Sequence, residues 1–98
     1  MLNIKKTTEG EQLLIALEGR LDTVTAPQLE EEINDLSGVS SLVFDFADLS
    51  YISSAGLRVL LSAQKSMNGK GSMVVRNVSE EIQEIFDVTG FSDILTIE

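Results

Sequence analysis

The chain has 98 residues, 43% of them hydrophobic and 23% charged, the balance of a folded globular protein rather than of a disordered segment. It contains no cysteine and no histidine, which removes disulfide frameworks, thiolate nucleophiles, the usual general base and most metal sites. Sixteen acidic against seven scattered basic residues leave a net charge of −9, which disfavours nucleic acid and anionic lipid surfaces as partners.

This length buries one modest core, so residues 1–98 are expected to form a single domain. No apolar stretch approaches the roughly 20 residues of a bilayer crossing, and "MLNIKKTTEGEQ" lacks the apolar centre of a signal peptide. No membrane insertion is expected, and the cytoplasm is the expected location. In chain order, "NIKK" reads as a weak first strand and residues 5–10 as a hairpin turn. The apolar run at 13–17, closed by Gly19, suits a buried strand. In "TVTAPQLEEEINDLSG", Thr25 is placed to cap a helix, Pro27 fits the first turn, Gln28 stands three residues after the cap, and Gly38 can stop it. Leu29, Ile33 and Leu36 fall on one face of that helix, and its glutamates lie mainly elsewhere, as on a solvated face.

"SSLVFDF" is rich in strand formers and leads to a helix over about 54–68, stopped by the glycines of "NGKG". "SMVVRNV" reads as another strand. "SEEIQEIFDVTGF" then supplies a serine cap, first-turn glutamates, an apolar stripe at Ile82, Ile85 and Phe86, and Gly90 as the stop. "DILTIE" closes the chain as a short strand. Strands alternating with helices of this length imply an α/β fold with a largely parallel or mixed sheet covered by helices.

The segment "DFADLSYISSAGLRVLL" carries the main functional question. Ser53 and Ser54 fall where a strand has ended and a helix begins, a place where oriented N–H groups favour a capping hydroxyl and would equally favour a covalently attached phosphate. Gly56 permits close backbone approach by a partner or enzyme. Serine-hydrolase chemistry lacks both a base and the G-x-S-x-G turn, and no glycine-rich nucleotide loop is present. Asp22, Asp45 and Asp48 do not have the spacing of a calcium loop and read first as residues that satisfy turns. Tyr51 and Ile52 read first as core and second as partner-facing anchors. No metal and no cofactor is expected.

With these residues in view, the chain resembles the STAS domains of bacterial anti-sigma factor antagonists. The resemblance rests on "LEGRLDTVTAPQLEEEI", "LVFDFADLSYISSAGLRVLL" and "VRNVSEEIQEIFDVTGF", three blocks in order over nearly the whole chain. It implies a small mixed β-sheet with helices packed on one side, and a non-enzymatic, monomeric binding protein. In that family the antagonist captures an anti-sigma factor that is also a serine kinase, the kinase phosphorylates it, and a PP2C-type phosphatase restores it. The family pattern D-S-[ST]-G-L, laid on "SSAGL", makes Ser54 the implied phosphoacceptor, with Ser53 as the alternative. Ser53 stands where the family carries an aspartate. Asp22 matches the acidic position of the family's G-x-[LI]-D block, and with Tyr51, Ser53, Ser54 and Gly56 it makes up the implied partner surface. A STAS scaffold or sensor subunit of a transport or signalling complex, working without phosphorylation, is the alternative function.

Overall fold

The computed structural model describes residues 2–98. Its five strands lie in the order β1 (Leu2–Glu9), β2 (Gln12–Leu21), β3 (Ser41–Ile52), β4 (Ser72–Arg76) and β5 (Thr96–Ile97), sequence order being retained across the sheet. β1 runs antiparallel to β2, and every later pair is parallel. Each parallel step crosses over through a helix: α1 (Ala26–Glu32), α2 (Ser54–Met67) and α3 (Glu80–Thr89). Right-handed crossovers that always advance the same way place all three helices on one face.

The core agrees with that geometry. Leu13, Ile15 and Leu17 of β2, Leu42 and Phe44 of β3, and Met73 and Val75 of β4 point to one side, by the two-residue period of a strand. There they meet Leu29 of α1, Val59, Leu60 and Ala63 of α2, and Ile82 and Phe86 of α3. Val43 is also buried, but it has the opposite parity and lies outside this cluster, in register with Leu14 and Val74 on the helix-free face. Phe46 packs between Phe44, edge to face with ring centroids 6.2 Å apart, and Phe86 at 6.4 Å.

Several boundaries differ from the sequence expectation. The first strand continues to Glu9, and the hairpin turn is only Gly10 and Glu11, with Gly10 at φ 63° at the position where a tight type II′ turn takes a glycine. α1 ends after Glu32, well before Gly38. The Asp35 carboxylate accepts from the Ser37 N–H at 3.0 Å and the Ser37 hydroxyl at 2.6 Å, a local turn that competes with helix continuation. Leu36 is buried all the same, from a loop rather than from the helix.

β3 is the largest departure, running past Phe46 to Ile52. It contains two bulges against β2: Ala16 pairs with Asp45 but Glu18 with Asp48, and Gly19 pairs with Leu49 but Arg20 with Tyr51. Each gives β3 one extra residue and bends it. Side chains fill the gaps that this opens in the ladder. Asp45 Oδ1 accepts from the Ala47 N–H and from Asn77 Nδ2, both at 3.0 Å, and Ser50 Oγ donates to the Gly19 carbonyl at 2.8 Å. The Asn77 amide first, and the Ala47 N–H next, hold the Asp45 carboxyl below its ordinary range against a small opposing effect of burial.

Phe46 joins the bent strand to α3, so Phe46→Ala is expected to cost about 3–5 kcal/mol of unfolding free energy. Urea denaturation followed by circular dichroism checks it, and a loss below about 1 kcal/mol would show that this ring does not organise the core.

Candidate functional site

The site forms where the carboxyl ends of β2 and β3 meet the amino end of α2. Leu21 is paired with Ile52, and the Ser53 N–H then donates to the Leu21 carbonyl at 2.9 Å, extending the parallel ladder by one residue. Ser53 is still extended, at φ −101° and ψ 176°, and occupies the N-cap of α2. Its carbonyl accepts the first helical bond, from Leu57 N at 2.9 Å, and its hydroxyl accepts from Gly56 N in a long contact of 3.5 Å.

The two serines therefore differ in what they do. Ser53 is half-buried with its hydroxyl turned to the cap, whereas Ser54 is the first helical residue, is exposed, and makes no side-chain hydrogen bond among the described residues. At that position the backbone N–H groups have no intrahelical acceptor, and they present the positive end of the helix dipole beside the Ser54 hydroxyl.

Gly56 turns the other way. It is buried, and a Cβ built there would sit 2.7 Å from Leu21 Cγ and 2.9 Å from Ile52 Cγ1. The close approach that this glycine permits is that of α2 to its own sheet, so it faces the core rather than a partner. Tyr51 is corrected in the opposite sense: the bulges leave it 38% exposed, while its neighbour Ile52 is core. Arg20 lies over the Tyr51 ring with its guanidinium carbon 4.3 Å from the centroid.

Asp22 follows β2 directly and organises the loop into α1. Its Oδ1 accepts from the N–H groups of Val24 and Thr25, each at 3.1 Å, and its Oδ2 is 3.7 Å from Arg20 Nε. The Thr25 N–H foremost, with the Thr25 hydroxyl, the Val24 N–H and Arg20 adding to it, keeps the Asp22 carboxyl below its ordinary range, against opposition from partial desolvation. Thr25 sits at the N-cap of α1 without capping it. Its buried hydroxyl accepts from the Asp22 N–H at 2.9 Å and donates to the Arg20 carbonyl at 2.8 Å. Gln28 likewise reaches away from the cap, donating to the Leu2 carbonyl at 3.3 Å.

Sequence reasoning missed Val24, which the Asp22 turn lifts out of the surface to 86% exposure. Its signal was an apolar residue inside a polar "DTVTAP" loop. The chain has no histidine or cysteine to activate a serine, and among the described residues no group of three potential metal ligands comes together. Asp45 is occupied at the bulge of β3 and Asp22 in its own loop. No helix among the described residues is long and apolar enough to cross a membrane.

Comparison with known proteins places this geometry. Residues 3–98 match the STAS domain model. The chain is 30% identical over 99 residues to an anti-sigma-B factor antagonist of Staphylococcus epidermidis, covering 98% of this chain and 92% of that one. Its fold is similar to the crystal structure of an anti-sigma factor antagonist from Mycobacterium paratuberculosis, with a TM-score of 0.89 and 19% identity over 99% of this chain and 85% of the other. It is also similar to the Bacillus cell fate determinant SpoIIAA in the phosphorylated form, with a TM-score of 0.76 and 20% identity over 100% and 91% of the two chains.

Two outcomes follow from the site's construction. Gly56→Ala is expected to destabilise the protein by about 1–3 kcal/mol, the ordinary cost of overpacking, and more than Ser53→Ala, which removes only a long cap bond; paired urea melts measure both. For Asp22, whose carboxyl is held below its ordinary range when folded, the stabilisation is fully present above its unfolded pKa and is lost as pH falls through the folded one. The stability gap between wild type and Asp22→Ala should therefore be constant near neutrality and shrink below about pH 4, and a gap that does not change down to pH 2 would refute the carboxylate's role.

Proposed function

We propose that this chain, which belongs to the STAS domain family and within it to the anti-sigma factor antagonists, is a binding module switched by phosphorylation at Ser54. These are non-enzymatic binding proteins, and the proposal concerns what this one binds and how binding is ended. Unmodified, it captures an anti-sigma factor that is also a serine kinase, and a sigma factor is thereby freed. It acts as a cytoplasmic monomer, through a surface made by Asp22, Tyr51, Ser53 and Ser54, with the exposed Val24 beside them.

The observation that carries the reading is the division between the serines: Ser53 closes the helix, and Ser54 stands exposed one residue on with an unoccupied hydroxyl. A bound kinase can reach that oxygen without unfolding anything. Ser54 Oγ then forms a bond to the γ-phosphorus of ATP, the bond from that phosphorus to the β-γ bridging oxygen breaks, ADP leaves, and the hydroxyl proton passes to solvent. The product carries about −1.5 to −2 charge at neutral pH on a chain that already has a net charge of −9. A desolvated dianion repels acidic partner groups, and a penalty of about 3 kcal/mol lowers binding more than a hundredfold. A PP2C-type phosphatase reverses the step by hydrolysis.

One feature favours a second reading. Ser53 occupies the place where the family pattern has an aspartate, so the carboxylate beside the phosphoacceptor is missing, and a STAS scaffold or sensor subunit needs no phosphorylation.

Incubation with candidate cognate kinases and ATP, followed by mass spectrometry, separates the readings. The expected result is one phosphate on Ser54, absent from Ser54→Ala, and kinase capture at least tenfold weaker for Ser54→Asp. Protein that stays unmodified and a Ser54→Asp variant that binds like wild type would remove the switch and leave the scaffold.

A further inference from the structure

α2 starts without a counter-charge. Its first turn holds no acidic residue, whereas the first turn of α3 holds Glu80 and Glu81. The nearest charge on α2 is instead Arg58, a cation one turn in, which gains nothing from the positive end of the helix dipole. Arg58 is exposed, and it has no ion-pair or hydrogen-bond partner among the described residues. Lys6 meets Glu32, Arg20 meets Asp22 and the Tyr51 ring, and Lys70 donates to the Leu36 carbonyl, whereas Lys5, Lys65 and Arg76, like Arg58, have no such partner among the described residues. What sets Arg58 apart among these is its position.

Arg58 is four residues after Ser54, so the two share a helix face with Cβ atoms about 5–6 Å apart. The open groove beside them, between α1 and α2, is lined by Ala55 and Arg58 from one side and by Thr23 and Glu30 from the other. Glu30 is the carboxylate that faces Arg58 across this groove, but the two do not form an ion pair within 4 Å.

We infer that Arg58 is the built-in counter-ion of a phosphate on Ser54, pairing with it along the helix face. The inference rests on Ser54 as the phosphoacceptor. The planar guanidinium takes two phosphate oxygens in parallel hydrogen bonds, while the unpartnered N–H groups of the first turn face the same group. The attached phosphate thus supplies the anion that α2 lacks.

The test installs phosphoserine at position 54 during translation, which needs no kinase, and follows its second ionisation by phosphorus NMR. A neighbouring cation favours the dianion, so the midpoint, ordinarily near about pH 6, should lie roughly 0.3–0.6 pH unit lower in the wild-type background than in Arg58→Gln. Arg58→Lys should keep part of the shift. Lys65→Gln removes an exposed cation elsewhere on α2 and controls for net charge, so it should leave the midpoint in place. Equal midpoints for wild type and Arg58→Gln, or equal displacements in Arg58→Gln and Lys65→Gln, would overturn the pairing. The two ideas fail separately. An installed phosphate with the shift, on a protein no kinase labels, sustains the pairing and removes the switch, whereas labelling of Ser54 without the shift removes the pairing alone.

Discussion

The parallel pairing of β2 with β3 is the constraint from which both core and site descend. It sets Leu21 against Ile52, and the next bond in the ladder, from Ser53 N–H to the Leu21 carbonyl, fixes where α2 begins. The helix then lies down on those same two side chains, which Gly56 allows because it has no Cβ to strike them. A shift in this ladder would move the helix start, the cap and the apolar bed together. For that reason an exposed hydroxyl is held in one place by a buried contact that it does not make itself.

The loops around this joint are ordered by polar groups that replace missing ladder bonds. Asp22 gathers the N–H groups of Val24 and Thr25, Asp45 takes up the Ala47 N–H at the first bulge, and Ser50 reaches the Gly19 carbonyl at the second. Each is a short-range hydrogen bond with a long-range effect, since the two bulges together turn Tyr51 outward and keep Ile52 inward. The candidate site thus combines a rigid base with exposed side chains, Val24 and Tyr51 among them.

Much of the architecture was legible because it is local. The apolar run of β2, the serine at the start of α3 and Gly90 in the left-handed conformation at φ 82° after it are patterns that a few neighbouring residues settle. The family resemblance added an expectation of which serine to look at, and the match over residues 3–98 places the chain in that family. Legibility failed where two distant segments decide. Thr25 looked like a cap, but its hydroxyl bonds back to Arg20 and Asp22; Gln28 looked like its partner, but reaches the edge strand at Leu2. α1 looked longer because Leu36 continues its apolar face, and that residue is in fact buried from a loop.

By itself the sequence determined the order of strands and helices, the start of α2 at the paired serines, and the absence of a histidine to activate them, because these follow from residue type and spacing along the chain. Only the tertiary structure decided that Ser53 turns to the cap while Ser54 stays free, that Gly56 faces the core, and that Tyr51 faces solvent. The physical reason is register: which way a strand residue points depends on the bulges counted against its neighbour, and β3 takes those from β2 across a helix and a loop.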